Sequence, residues 1–387
     1  MKFRHLARLD IPGGGQVFAQ GDFAYVGHLR PPHGTTLINC ADPLNPRVTA
    51  TVEVPANVHS HKVRVHGDVM IVNRELNRPE PTGPQDKVPV EVILNQTLDA
   101  EKAGFSGGIR LYDIADKARP REIGAYRSLG THRFDSDPRY AYISSEEHGF
   151  LGDIVVIVDI ADPENPVEAG RWWMPGQWLA GGEVPNWGGR RSRCHHPLRR
   201  GDRLYTSYWH GGFVILGIED ISRPRFISGL DWSPPYPCPT HTAAPVPFEI
   251  MGRKVLVCTD EEVADRLAPA PNAFMWIVDV TDEAHPVPIS AFRVENDKPF
   301  DPKCWFGAHQ PQEVIDSTTV LSVWFAGGLR AVDISDIYRP TEVGRFIPEP
   351  GAGEAHVQTN DLYVDRARGL VYLIDRFRGL DILEMEG

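Results

Sequence analysis

The sequence contains no apolar run long enough to cross a bilayer. It also lacks a Gly-rich phosphate loop, a Gly-x-Ser-x-Gly elbow, a His-Glu-x-x-His pair and a Cys-x-x-Cys pair. Those absences remove support for nucleotide binding and for the common hydrolase and zinc-protease sites. Basic residues are short: 40 Lys and Arg against 52 Asp and Glu leave a formal charge of −12. Nucleic acid and anionic membrane are therefore not expected partners, because a phosphate-binding surface needs excess cations. Cysteine is scarce and odd in number, five in 387 residues, which is no disulfide framework. Met1 to Pro12 shows no apolar segment of the secretory type. A cytoplasmic protein is the expectation.

Turn-forming residues, by contrast, are abundant: 36 Gly and 34 Pro, which favour many short strands. One pattern recurs, an apolar strand followed by Asp and, four residues on, Pro. It reads TTLINCADPLNP, IRLYDIADKARP, VVIVDIADPENP, FVILGIEDISRP, MWIVDVTDEAHP and LRAVDISDIYRP, with Asp at 42, 116, 162, 220, 282 and 336. The Asp accepts backbone N–H bonds in a tight turn and the Pro sets φ at its exit. A second hairpin precedes each of these, as in KVRVHGDVMIV and PLRRGDRLYTS.

Each unit is thus expected to hold four antiparallel strands. Six complete units begin near Gln16, His61, His132, His195, His241 and His309, and a seventh begins at His356 but lacks its last strand. Arg4 to Pro12 has the missing strand's pattern. The expected fold is all-β: one seven-bladed propeller over residues 1–387, its last blade completed by the N-terminal strand so that no sheet edge stays open. The motif VVIVDIADPENP resembles the signature of the LVIVD-repeat proteins, and the likeness runs along essentially the whole chain. The resemblance implies a β-propeller and no particular reaction.

In such a blade the innermost strand starts on the same face on which the second strand ends. Six units place a histidine at or just before that start: His61 (with His59), His132, His195 (with His196), His241, His309 and His356. Met70, Ala141 and Leu204 each follow His61, His132 and His195 by nine residues, so these three share one register. The first unit carries Gly15 and Gln16 instead. Converging neutral imidazoles suit a transition metal, with three or four ligands about 2.0–2.1 Å from it. Fe(II) is the first expectation, with Cu, Mn or Zn as alternatives. Duplication of a turn-capping histidine would produce the same pattern without a metal.

Second-strand ends bring Glu75, Glu146, Glu147, His148, His210, Asp260, Glu261 and Arg376 to the same face. Glu354, Glu147 and His210 are the candidate catalytic groups. Trp178, Trp187, Tyr236, Trp305 and Arg376 are the candidate substrate pocket, fit for a small organic, even aromatic, ligand. Cys194, Cys238 and Cys304 lie one, three and five residues before a ring histidine, as soft ligands, redox thiols or plain free thiols. The insertion at residues 75–108, with a short helix expected in EVILNQTLDAEKAGF, would serve as a lid or as the contact of a homo-oligomer.

The expected function is a metal-dependent enzyme acting on a small molecule, a non-haem iron or copper oxidoreductase of oxygenase type. By architecture alone it is similar to carotenoid-cleaving oxygenases (iron) and selenium-binding-protein-like methanethiol oxidases (copper). Two alternatives stand beside it: a Mn- or Zn-dependent lyase or hydrolase, and a non-catalytic interaction scaffold.

Overall fold

The computed structural model describes residues 1–78, 94, 98, 99, 102, 104–188, 190–233, 235–262, 273–295 and 304–386. Its architecture is all-β and propeller-like. The Asp turns form as their chemistry requires: a carboxylate oxygen of Asp42, Asp116, Asp162, Asp220, Asp282 and Asp336 accepts the N–H two residues on, at 3.0–3.1 Å. Strands that precede these turns are buried on both faces, as in Asp153–Asp159, where Ile154 to Val158 are wholly inaccessible. Strands that follow them, such as Val167–Trp172, are largely exposed and form the outer rim.

In place of seven four-stranded sheets, the described strands form six. Two units merge into one eight-stranded sheet through a single pairing of Trp209 with Thr240. Another has three strands, Thr319–Val323, Leu329–Asp333 and Thr341–Phe346, and its would-be first strand shrinks to a bridge between Pro311 and Ser322. Pro311 has no N–H to extend that ladder. The second unit gains a strand, Val58–His59, which pairs with Leu76 and Glu75.

Strand Lys2–Pro12 pairs antiparallel with Arg378–Glu386, with His5 opposite Leu383 and Leu9 opposite Leu380. Apolar clusters tie each sheet to the next: Phe134, Ile143 and Val156 pack on Ile71, Ile109 and Leu111. The first and last sheets meet likewise, with Val17, Val26 and Ile38 against Tyr372, Ile374 and Ile382. No helix of the described residues is long and apolar enough to cross a membrane. Within the expected short helix, residues 94, 98, 99 and 102 are helical, and most of the 75–108 insertion lies outside the described residues.

Candidate metal centre

Irregularity in the innermost strands places the histidines. Pairing of these strands slips between Gly14 and Gln16, Thr131 and Phe134, Ser192 and His196, Thr240 and Thr242, and Thr359 and Asp361. Gly15, His132, His195, His241 and Asn360 fall inside the slips. A bulge of this kind turns a side chain away from the regular pleat. The result is a continuous arc, with ring centroids of His61, His132, His195, His241 and His309 spaced 4.8, 4.9, 4.6 and 4.1 Å apart. Trp209 and Phe325 close on it, 4.6 Å from His195 and 4.7 Å from His309.

Five of the six expected histidines are thus brought together; His356 is not. His195 Nδ1–H donates to the His241 carbonyl at 2.9 Å, and His309 Nδ1–H donates in the same way to the Asn360 carbonyl at 2.5 Å. Asn360 therefore holds the seventh position, and its amide donates onward to the Gly15 carbonyl at 2.5 Å. His356 lies four residues upstream, lining a separate cavity of about 380 Å³ with Arg30, Trp305, Glu354 and Arg376. The assignment from sequence took the last histidine before the strand; the bulge, which sets the position, is invisible there.

Hydrogen bonding decides which nitrogen each imidazole offers. Carbonyl oxygens hold the Nδ1 protons of His195 and His309, so Nε2 carries the lone pair in the neutral ring. His241 Nδ1 lies 2.8 Å from Thr242 Oγ1, and its buried Nε2 has no hydrogen-bond partner among the described residues. His132 Nδ1 is 2.8 Å from Glu75 Oε1, the usual way a carboxylate orients a ligand imidazole. His132 Nε2 then stands 3.1 Å from His195 Nε2. Two nitrogen ligands at about 2.0–2.1 Å from one tetrahedral ion would sit about 3.3 Å apart. Without a cation this contact needs one proton more, held on Glu75 or as an imidazolium at His132.

Glu261 completes the group: its ligand oxygen and nitrogens of His195 and His241 lie within 4.8 Å of one another, and it is 3.7 Å from His309 Nε2. Burial holds His61, His132, His195, His241 and His309 well below the ordinary imidazole pKa, and the Arg133 guanidinium adds to this. The rings are therefore neutral at pH 7, the state that binds metals. Burial likewise pushes the Glu75 carboxyl up.

One residue further along the strands, a polar layer closes the channel beneath the arc. Arg133 donates across it to Gln310 Oε1 at 3.0 Å, and Lys62 Nζ donates to Glu313 Oε1 at 2.7 Å. A cavity of about 460 Å³ is lined by Arg64, Asp135, Arg200 and Glu313 and by none of the arc imidazoles.

The remaining candidates divide. Trp305 and Arg376 line the smaller cavity, the guanidinium 4.6 Å over the indole and 3.3 Å from Asn360 Oδ1, so that cavity adjoins the arc. Glu354 lines it too. Glu147 instead accepts from Ser145 at 2.8 Å and Tyr126 at 3.4 Å, which makes it a strand-end brace. His210 is buried beside Trp209 and pushed down to about 3, chiefly by burial. Trp187 donates to the Pro175 carbonyl inside its own loop, Trp178 stacks on Phe150, and Tyr236 packs edge-on to Phe274 and Trp276. None of these three lines the cavity beside Asn360. No cysteine joins a ligand group among the described residues, and burial pushes the Cys194 thiol well up, which makes it unreactive.

Trp209 and Phe325 escaped the sequence reading. Both have left-handed backbones, φ +54° and +42°. A bulky residue there costs about 1–2 kcal/mol, and such strain gathers at functional sites. Their signal was present as YWHGG and WFAGG, where Gly212 and Gly328 take φ of +69° and +74° to complete the same turn.

Residues 139–173 match the LVIVD repeat family model, so the chain carries an LVIVD repeat. Curated proteins include no match to it. Among solved structures, the C-terminal WD40 domain of Sif2 is similar with a TM-score of 0.56 at 8% identity, over 100% of this chain and 99% of that one. The computationally designed protein Ika8 gives 0.54 at 7% identity, covering 98% and 99%. Sqt1 of Saccharomyces cerevisiae gives 0.52 at 9% identity, covering 98% and 87%. At these identities the likeness concerns the fold.

Proposed function

We propose that this LVIVD-repeat chain is a closed seven-bladed propeller whose imidazole arc holds a catalytic transition metal. Counting the eight-stranded sheet as two blades and the three-stranded sheet as a reduced one supports seven; the pairing of the two chain ends supports closure. The reading is carried by one observation: His132 Nε2 and His195 Nε2 face each other at 3.1 Å while the Nδ1 atoms are engaged elsewhere, one by Glu75 and the other by the His241 carbonyl. His195, His241 and Glu261, whose donor atoms lie within 4.8 Å of one another, would hold the ion, with His132 Nε2 beside His195 and His309 Nε2 3.7 Å from Glu261 as flanking imidazoles. Such an imidazole-rich site suits Fe(II) or Cu, which when bound in the reduced state, Fe(II) or Cu(I), would supply electrons to dioxygen.

The chain's own residues would do the rest. Trp209 and Phe325 shield the imidazoles, and the Arg133–Gln310 layer blocks entry from below. Substrate would enter from the face bearing Trp305 and Arg376, which would hold a small organic molecule beside the Asn360 gap in the arc. Cysteine is scarce and odd in number, no disulfide framework, which fits a reducing, cytoplasmic setting.

Elemental analysis of protein purified without chelator tests the metal. At least one equivalent is expected; less than a tenth would remove the enzyme reading and leave the interaction scaffold. Turnover of candidate substrates with and without oxygen, after loading with Fe(II), Cu, Mn or Zn, tests the chemistry. Oxygen-independent activity with Mn or Zn would replace the oxidoreductase by a lyase or hydrolase.

A further inference from the structure

The second unit contains a feature that repetition cannot account for. Its extra strand, Val58–His59, makes only two pairs, and one sets His59 directly opposite Glu75. His59 does not occupy the repeated ring position, so blade duplication does not explain it. His59 Nε2 lies 2.8 Å from His61 Nδ1, and Glu75 Oε1 is 3.7 and 3.8 Å from those two atoms. Three donors on one ion at about 2.1 Å must lie within about 4.2 Å of one another, and these do.

The orientation of His61 is also prepared. Asn73 Oδ1 accepts the Lys62 N–H at 2.7 Å, which turns the Asn73 amide nitrogen toward the Thr131 carbonyl at 2.8 Å and toward His61 Nδ1 at 3.4 Å. A donor facing Nδ1 leaves the lone pair on that atom. Glu75 has capacity for two roles, because each carboxylate oxygen has two lone pairs: one accepts from His132 Nδ1 at 2.8 Å and others remain.

We infer that the chain binds a second divalent ion through His59 Nε2, His61 Nδ1 and Glu75, and that Glu75 and His132 link it to the centre at His195, His241 and Glu261. This rests on the reading of that centre given above. Two imidazoles and one carboxylate suit a borderline metal such as Co(II), Fe(II), Mn(II) or Zn(II) and leave open positions. The second ion would thus be coupled to the first through one carboxylate–imidazole bridge.

Counting ions in the full chain decides it. Metal-stripped protein is dialysed against Co(II), with content measured by elemental analysis and ligand geometry by visible absorption. Two equivalents are expected, falling to one in His59→Ala and, at the other centre, to one in His241→Ala. His59→Asn, with far-UV circular dichroism on every variant, guards against misfolding and should also bind one. Saturation of the wild type at one equivalent overturns the inference, as does a count unchanged by His59→Ala. If that single ion survives His59→Ala, the His195–His241–Glu261 centre stands; if it survives only His241→Ala, that reading fails too. A count of zero overturns both.

Discussion

The two faces of the propeller carry repeated residues for different reasons. On one face, Asp42, Asp116, Asp162, Asp220, Asp282 and Asp336 each close their own turn, with every bond made inside two or three residues. On the other, three of the imidazoles are held by residues of an adjoining repeat unit: His195 by the His241 carbonyl, His309 by that of Asn360, His132 by Glu75. A residue serving its own turn is kept wherever the turn exists. A residue serving a shared centre is kept only where it reaches that centre. Hence the arc breaks at Gly15 and Asn360. A side chain at Gly15 would meet the His61 Cβ at 2.5 Å, so that position is filled by its neighbour.

Substitutions can break this contrast at either face. The largest effect is expected for His195→Ala, which removes the central imidazole of the arc: affinity at that centre should fall by about 100-fold or more, measured by metal titration. Far-UV circular dichroism should be unchanged, because the core of that sheet is built elsewhere, from Tyr142, Leu204, Val214 and Leu216. A smaller loss, about tenfold, is expected for Thr242→Val, which frees His241 Nδ1 from its hydroxyl partner without touching Nε2.

Asp162→Ala should do the reverse. It removes the acceptor for the Glu164 N–H and for the Asn165 amide, so the melting temperature should drop by about 2–4 °C with metal content intact. A loss of metal there would deny that the faces are separate. His356→Ala sharpens the contrast most finely. Lying in the cavity with Trp305 and Arg376, it should leave metal affinity unchanged and alter only the Michaelis constant for substrate; a drop in metal content would return it to the arc.

Much of the fold was legible because its determinants are local. Apolar strand, Asp and Pro recur at fixed spacing, and the N-terminal strand could be matched to Leu380–Leu383 from pattern alone, since alternation sets which face is buried. The merged eight-stranded sheet was not legible: the Trp209–Thr240 pairing depends on how two units splay, not on either unit's residues.

At the site, residue types were legible and their roles were not. Five imidazoles converge as their repeat implied, and Glu75 and Glu261 were visible as strand ends on the same face. His356 was misplaced because a bulge, rather than distance along the chain, sets the seventh position. Trp187, Tyr236 and Glu147, expected at the site, bond within their own surroundings. By itself, then, the amino-acid order determined what the repeat units make in isolation: strands, six Asp turns and a histidine near six of the seven innermost strands. Only tertiary structure decided which nitrogen His132, His195 and His309 offer, because the atom that holds the other nitrogen belongs to an adjoining unit.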